Sequence, residues 1–357
     1  MISELNLGFA GWEDVAPLTR ALLFGLLLGG AFGVLAQRAR FCLRRGVAGP
    51  ETERLPALGT WSAALATSVL ATSLLVSGGV LDFSEHRFLG SNVPLLAIVI
   101  GGLMFGVGMV LTRGCASRLT VLAGSGNLRA LVSLVVFAIA AHATLKGALA
   151  PTRVWVSSVS VDFGAITSLA ALPGGAAVWG VALAILLAVF ATRSGARARD
   201  LAMGVGIGAL VVAGWYGTGV VLADDFDPIP FESLALTSSS TETLFWLVAG
   251  TAITPGFGVG LIGGVLVGAG VSALLSGEFR IERFEADTPV ERYLGGSVLM
   301  GVGGVLAGGC TLGAGLAGVS TMSFAALAAL VSIVAGAVLA QSVRFPARQS
   351  PALVPAE

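Results

Sequence analysis

Apolar runs of about 20 residues follow one another along this chain, and they restrict its fold more than any other feature. A helix of that length crosses a hydrocarbon core of about 30 Å. Within such a core the backbone must pair its own polar groups, which long unalternating runs do by forming helices. The runs predict an all-α, polytopic membrane protein with about nine transmembrane spans. They lie near 18–38, 57–80, 94–112, 127–149, 173–192, 200–222, 243–275, 293–309 and 322–342. The seventh is long and holds Pro255-Gly256, so a kink or break is expected there. Residues 1–357 read as a single transmembrane domain. A mean hydropathy of +0.92 with only 11% charged residues rules out a soluble globule. The net charge of zero gives no reason to expect a nucleic-acid partner.

The cations set an orientation. Arg38, Arg40, Arg44, Arg45, Arg54, Arg193, Arg197, Arg199, Arg280, Arg283, Arg292, Arg344 and Arg348 fall on one side of the predicted spans. The other side keeps Arg20, Arg87 and Arg153, with Lys146 near its edge and an acidic loop at Asp224, Asp225 and Asp227. Positive loops stay inside, so the N-terminus is expected outside and the C-terminus inside.

The chain also repeats itself. Phe-Gly-Val-Gly-Met-Val-Leu-Thr-Arg-Gly-Cys at 105–115 returns as Met-Gly-Val-Gly-Gly-Val-Leu-Ala-Gly-Gly-Cys at 300–310, identical at seven of eleven positions. Two halves follow, about 18–149 and 198–342, with the span at 173–192 as connector. The second half starts an odd number of spans after the first, so it runs inverted. Inverted repeats with broken helices facing each other near the midplane are a transporter architecture.

Each copy of the repeat ends on a thiol, Cys115 or Cys310, and a third thiol, Cys42, closes Arg-Ala-Arg-Phe-Cys at 38–42. Short segments after Cys115 and Cys310 are too short to span and are expected to be re-entrant half-helices. A thiol at a half-helix N-terminus faces free N–H groups and the positive end of the dipole, a setting that favours an anion. Packing is the commonest role of a buried cysteine and stays open for each thiol taken singly. Three cysteines make no complete disulfide framework, and their spacings of 73 and 195 fit no zinc pattern. Neither metal nor cofactor is expected. The carboxylates read as lying outside the apolar spans or at their edges, whereas Arg38, Arg40, Arg113 and Arg118 flank the cysteines. A path with cationic edges suits an anion. These arginines are equally readable as topology determinants, with Arg113 and Arg118 left between the two roles. His142 and Lys146 share a helical face, which suits a packed imidazole and a snorkelling ammonium. Trp215-Tyr216 suits a constriction or an interfacial anchor, and the Ser/Thr run 237–241 reads as an outer loop.

Arg38-Ala39-Arg40-Phe41-Cys42, Arg113-Gly114-Cys115-Ala116-Ser117, Gly124-Ser125-Gly126-Asn127-Leu128-Arg129 and Ala307-Gly308-Gly309-Cys310-Thr311-Leu312-Gly313 together resemble the YeeE/YedE family of bacterial inner-membrane sulfur-transport proteins. The likeness extends over about 18–342. It implies uptake of thiosulfate or a related sulfur or selenium anion across the cytoplasmic membrane, without enzymatic chemistry. It also implies that Cys42, Cys115 and Cys310 contact the anion in turn by S–H hydrogen bonds. Gly114, Gly309, Arg40 and Arg113 are the neighbours expected to complete the path. A separate cytoplasmic sulfur-carrier protein is an implied partner. The competing reading is a membrane thiol–disulfide carrier, which predicts a disulfide, with Cys115–Cys310 as the expected pair. Against it, the chain has no Cys-x-x-Cys.

Overall fold

The computed structural model describes residues 15–224, 228–283 and 290–342. Asp225, Asp227, Arg344 and Arg348 lie outside these residues. The chain is helical almost throughout: α1 Pro17–Arg38, α2 Leu43–Ala48, α3 Glu51–Ser77, α4 Leu95–Leu111, α5 Ala116–Gly124, α6 Leu128–Leu145 and α7 Ala150–Ser157. Then follow α8 Gly175–Arg193, α9 Ala198–Tyr216, α10 Leu236–Ala249, α11 Phe257–Leu275, α12 Val290–Leu306 and α13 Phe324–Ser342. Among the described residues the only sheet is the pairing of Asn92–Val93 with Val161–Asp162. Eight helical stretches are long and apolar enough to cross a membrane. The 17 residues of α12 reach about 25 Å at 1.5 Å per residue, close to the same thickness.

The seventh predicted span is two helices. α10 ends at Ala249 and α11 begins at Phe257, with Pro255-Gly256 between them. The Glu242 carboxylate from α10 faces the backbone N–H groups of Gly256, Gly258 and Val259, which are orphans of the new helix start. α10 also begins earlier than expected. The Ser/Thr run 237–241 is not a loop but its first turns, and Thr237, Ser239, Ser240 and Thr241 are buried there. Such hydroxyls survive burial by bonding back to carbonyls three or four residues earlier, as Ser239 does to Ala235 at 2.8 Å and Thr241 to Ser238 at 2.7 Å. Glu242 stands in the interior of α10, which at 14 residues is not one of the eight membrane-length stretches.

Glycine sets the closest helix pairs, as membrane interfaces without a hydrophobic driving force require. α1 runs parallel to α11: a Cβ on Gly29 would stand 2.2 Å from the Leu261 carbonyl oxygen, and one on Gly33 would stand 2.5 Å from that of Val265. α9 runs parallel to α3, with Gly204 on Thr60 and Gly208 on Ala64. α4 packs parallel to α13 and antiparallel to α12, and α12 packs on α6. α8 covers α3 from outside this arrangement.

Candidate functional site

Each cysteine is delivered by the same local device. α1 ends with Arg40 at φ +49°, α4 with Arg113 at φ +59°, and α12 with Gly308 at φ +76°. Each of these left-handed residues stands two positions before a cysteine. In the first two cases a six-residue closure follows, Phe41 N–H to the Ala36 carbonyl at 3.0 Å and Gly114 N–H to the Met109 carbonyl at 3.1 Å. This is the Schellman ending, which normally takes glycine at its left-handed position. A side chain there costs on the order of 1–2 kcal/mol, so two arginines hold a conformation that glycine would adopt freely. After the reversal Cys42 caps α2, Cys115 caps α5, and Cys310 opens the wide turn Gly313–Gly318. Gly309 could not be larger, since a Cβ would fall 2.7 Å from the Ala314 nitrogen; at Gly114 there is ordinary room.

These reversals bring the three thiols into one buried core. All are free. Cys42 and Cys115 approach to 3.9 Å between sulfurs, and Cys115 lies 3.2 Å from the Ser117 hydroxyl. The Thr311 hydroxyl, adjacent to Cys310, also lies close enough to Cys115 to act on its thiol. The Cys310 sulfur accepts from the Gly313 N–H at 3.4 Å. The close thiol pair is therefore Cys42–Cys115, not the Cys115–Cys310 pair expected of a redox carrier.

Polar cavities open on either side of this core. At the end of the molecule that carries the start of α1 and of α4 lies a vestibule of about 600 Å³. Its wall is an aromatic cluster in which Phe83, His86 and Phe231 surround Trp215 at 5.0–5.2 Å between ring centroids. Trp215 also donates its indole N–H to Ser320 at 3.3 Å, which settles its place at the vestibule while its neighbour Tyr216 stays exposed. Burial and the Arg87 charge hold His86 neutral, with a pKa of about 4. Burial pushes the Glu232 carboxyl above its usual range against the opposing pull of Arg87. Arg87, its guanidinium 5.1 Å from the Phe88 ring centre, lines both the vestibule and a smaller pocket of about 50 Å³ that reaches Cys310.

At the other end, a cavity of about 340 Å³ is lined by Gln37, Arg40, Arg118, Asn127, Glu278 and Glu282 among others. Arg118 lies within electrostatic reach of both Cys42 and Cys115. Glu278 accepts from Gln37 at 2.6 Å and pairs with Arg40 at 3.8 Å, while Glu282 pairs with Arg129 at 3.0 Å and with Asn127. Of the two arginines beside Cys115, Arg118 lines the cavity; Arg113 is exposed and lies near Arg44. His142 packs against the Phe245 ring at 5.1 Å between centroids. The sequence carries no local signal that places Arg87 or His86 at the vestibule, because its wall is built by contacts across distant segments.

Comparison with known proteins follows the same line. The family model described as sulphur transport matches residues 38–339, from the first arginine motif nearly to the end of α13. A thiosulfate transporter, TsuA, of Escherichia coli is 28% identical over 346 residues, covering 88% of this chain and 92% of that protein. The TsuA thiosulfate transporter of Spirochaeta thermophila is 27% identical over 342 residues, covering 87% and 96%.

Proposed function

The chain belongs to the sulphur-transport (YeeE/YedE) family, and on that premise we propose that it is a permease that takes up thiosulfate through a line of three cysteine thiols. One observation carries this reading. Three buried thiols, with the hydroxyls of Ser117 and Thr311 beside Cys115, stand between two cavities at opposite ends of the described structure, and each cavity is lined by an arginine: Arg87 on one side, Arg118 on the other. The order of contact is vestibule, Cys310, Thr311 and Cys115, Cys42, then the cavity of Arg40 and Arg118.

A thiol is a weak hydrogen-bond donor with a weak acceptor sulfur. Conduction needs sites favourable enough to enter and weak enough to leave. A dianion attracted by arginines at the entrance meets S–H donors inside, and Arg118, within electrostatic reach of Cys42 and Cys115, draws it on toward the second cavity. The chain acts as a carrier of an unchanged ion in this account, not as an enzyme. The membrane is the bacterial cytoplasmic membrane, with the vestibule outside and the C-terminus inside. The Arg40–Arg118 cavity then opens to the cytoplasm, where a sulfur-carrier protein would receive the anion.

The two halves are inverted copies in this reading. α1 on α11 repeats as α9 on α3, and α4 on α13 repeats as α12 on α6, so partners exchange in the way a two-fold axis requires. Cys42 caps α2 and touches Cys115; Ala235 caps α10 and lies 3.3 Å from the position of a Gly313 Cβ in the Cys310 turn. Ala235 thus stands where a fourth cysteine would be.

The test is uptake of labelled thiosulfate by proteoliposomes with excess sulfate as competitor. Sulfate-resistant uptake supports the permease; wild-type protein that moves no thiosulfate overturns it. The 3.9 Å approach of Cys42 and Cys115 favours the thiol–disulfide reading enough to check. A Cys42–Cys115 disulfide found by mass spectrometry in membranes, together with absent uptake, would establish that alternative.

A further inference from the structure

The hydroxyls at the start of α10 differ in one respect. Ser238, Ser239, Thr241 and Thr243 each donate to a backbone carbonyl of their own segment at 2.7–3.1 Å. Thr237 does not. It is only 6% exposed, and its Oγ1 has no hydrogen-bond partner among the described residues; the Ser240 hydroxyl has none either, but of the two only Thr237 lines the pocket beside Cys310. The reason is local: α10 begins at Leu236, so the carbonyls three and four residues before Thr237 belong to the extended approach and not to a helical turn. A buried hydroxyl without a partner costs on the order of 1–3 kcal/mol, a cost that an acceptor bound beside it would offset.

Thr237 lines the pocket of about 50 Å³ that holds Cys310, with Gly304 leaving room beside its hydroxyl: a Cβ there would come 3.3 Å from Oγ1. That volume holds a few waters or one small anion. Arg87 supplies positive charge at the same pocket. The Cys310 sulfur already accepts from Gly313, which leaves its S–H hydrogen to point elsewhere.

We propose that Thr237 is a substrate-binding residue, donating its hydroxyl hydrogen to a sulfonate oxygen of the anion while the anion's terminal sulfur meets the Cys310 thiol. This assignment rests on the permease reading above and deepens it: oxygens are read by Thr237 and Arg87, sulfur by Cys310. A hydrogen bond to a charged group is among the stronger kind. Thr237→Val removes the donor and keeps the shape, whereas Thr237→Ser keeps the donor.

The experiment is calorimetric titration of the purified protein with thiosulfate, sulfite and sulfate, for wild type, Thr237→Val and Thr237→Ser, with the thermal midpoint of each ligand-free variant. For whichever anion the wild type binds, Thr237→Val should weaken binding about tenfold or more and Thr237→Ser by no more than about threefold. The ligand-free Thr237→Val midpoint should equal or exceed that of the wild type, because the variant loses an unsatisfied buried group. Wild-type affinity in Thr237→Val, equal weakening in both variants, or no binding of any of the three anions would overturn the assignment. Binding of sulfite or sulfate but not thiosulfate would instead defeat the substrate reading, with Thr237 scored on the anion that binds.

Discussion

Arg40 and Arg113 share one backbone conformation and part company in surroundings. Both sit in the left-handed region at a helix ending, at φ +49° and +59°. Replacing either by glycine relieves the strain and should raise the thermal midpoint of the detergent-solubilised protein, by about 1 kcal/mol or less of stability once the greater freedom of unfolded glycine is counted. Only Arg40 lines the cavity below the thiols. Arg40→Gly should therefore lose uptake while Arg113→Gly keeps most of it; equal losses would place Arg113 on the path. His86 gives a pH signature at the same scale. Its pKa is about 4 in the fold against 6.5 for a free imidazole. Between those values the unfolded chain binds more protons, so this part of the stability is complete above pH 6.5 and is lost as pH falls toward 4. Glu232, raised by burial, titrates in the opposite sense, so the readout is the difference between wild type and His86→Phe. A thermal midpoint that falls less steeply on acidification in the variant is the expected result. At the scale of residues the thiols and Arg40 were visible as motifs. Arg118 could not be separated from Arg113 without knowing which way α5 turns, and Thr237 was hidden by the assumption that hydroxyl runs avoid helices.

Helix pairs here depend on the absence of side chains. Along α1, Gly25, Gly29 and Gly33 meet the α11 backbone directly. Gly29→Val would press a side chain against the Leu261 carbonyl and should cost about 1–3 kcal/mol, seen as a lower thermal midpoint or reduced insertion. Gly30→Ala is the control, because its Cβ would meet only the Gly264 carbonyl oxygen at 3.8 Å, an ordinary contact. If both are tolerated alike, the close packing of α1 on α11 is not what holds this pair. Most helices were legible because a span must be apolar for its whole length. At 243–275 the break at Pro255-Gly256 was legible, and what was not is that α10 starts at Leu236. Proline and glycine announce the break; the carboxylate that seals it, Glu242 over the first turn of α11, depends on how the two helices fold back on each other. The short helices α2 and α5 are set by left-handed reversals that apolar periodicity does not register.

Across the whole molecule, what matters is that distant segments converge on one axis. Cys42 and Cys115 are 73 positions apart and touch; Thr311 reaches Cys115 from the far half of the chain. A repeat that ends on Gly-Cys in both copies made two of the proposed stations candidates in advance, and the third came from the motif at 38–42. Their contact could not be read, because it depends on how α1, α4 and α12 end relative to one another. The cavities were equally invisible, since each is assembled from loops far apart in the chain. The segment at 277–282 joins α1 to the start of α6 through Glu278 and Glu282 and closes the cytoplasmic cavity around Arg118 in the proposed orientation. The central claim is that the anion travels along the thiols. It is tested most directly by uptake of labelled thiosulfate into proteoliposomes holding wild type, each single Cys→Ala variant at 42, 115 and 310, and the triple variant, at matched protein incorporation. Uptake reduced about tenfold or more by every single substitution is the predicted result. A triple variant that transports like the wild type would contradict it.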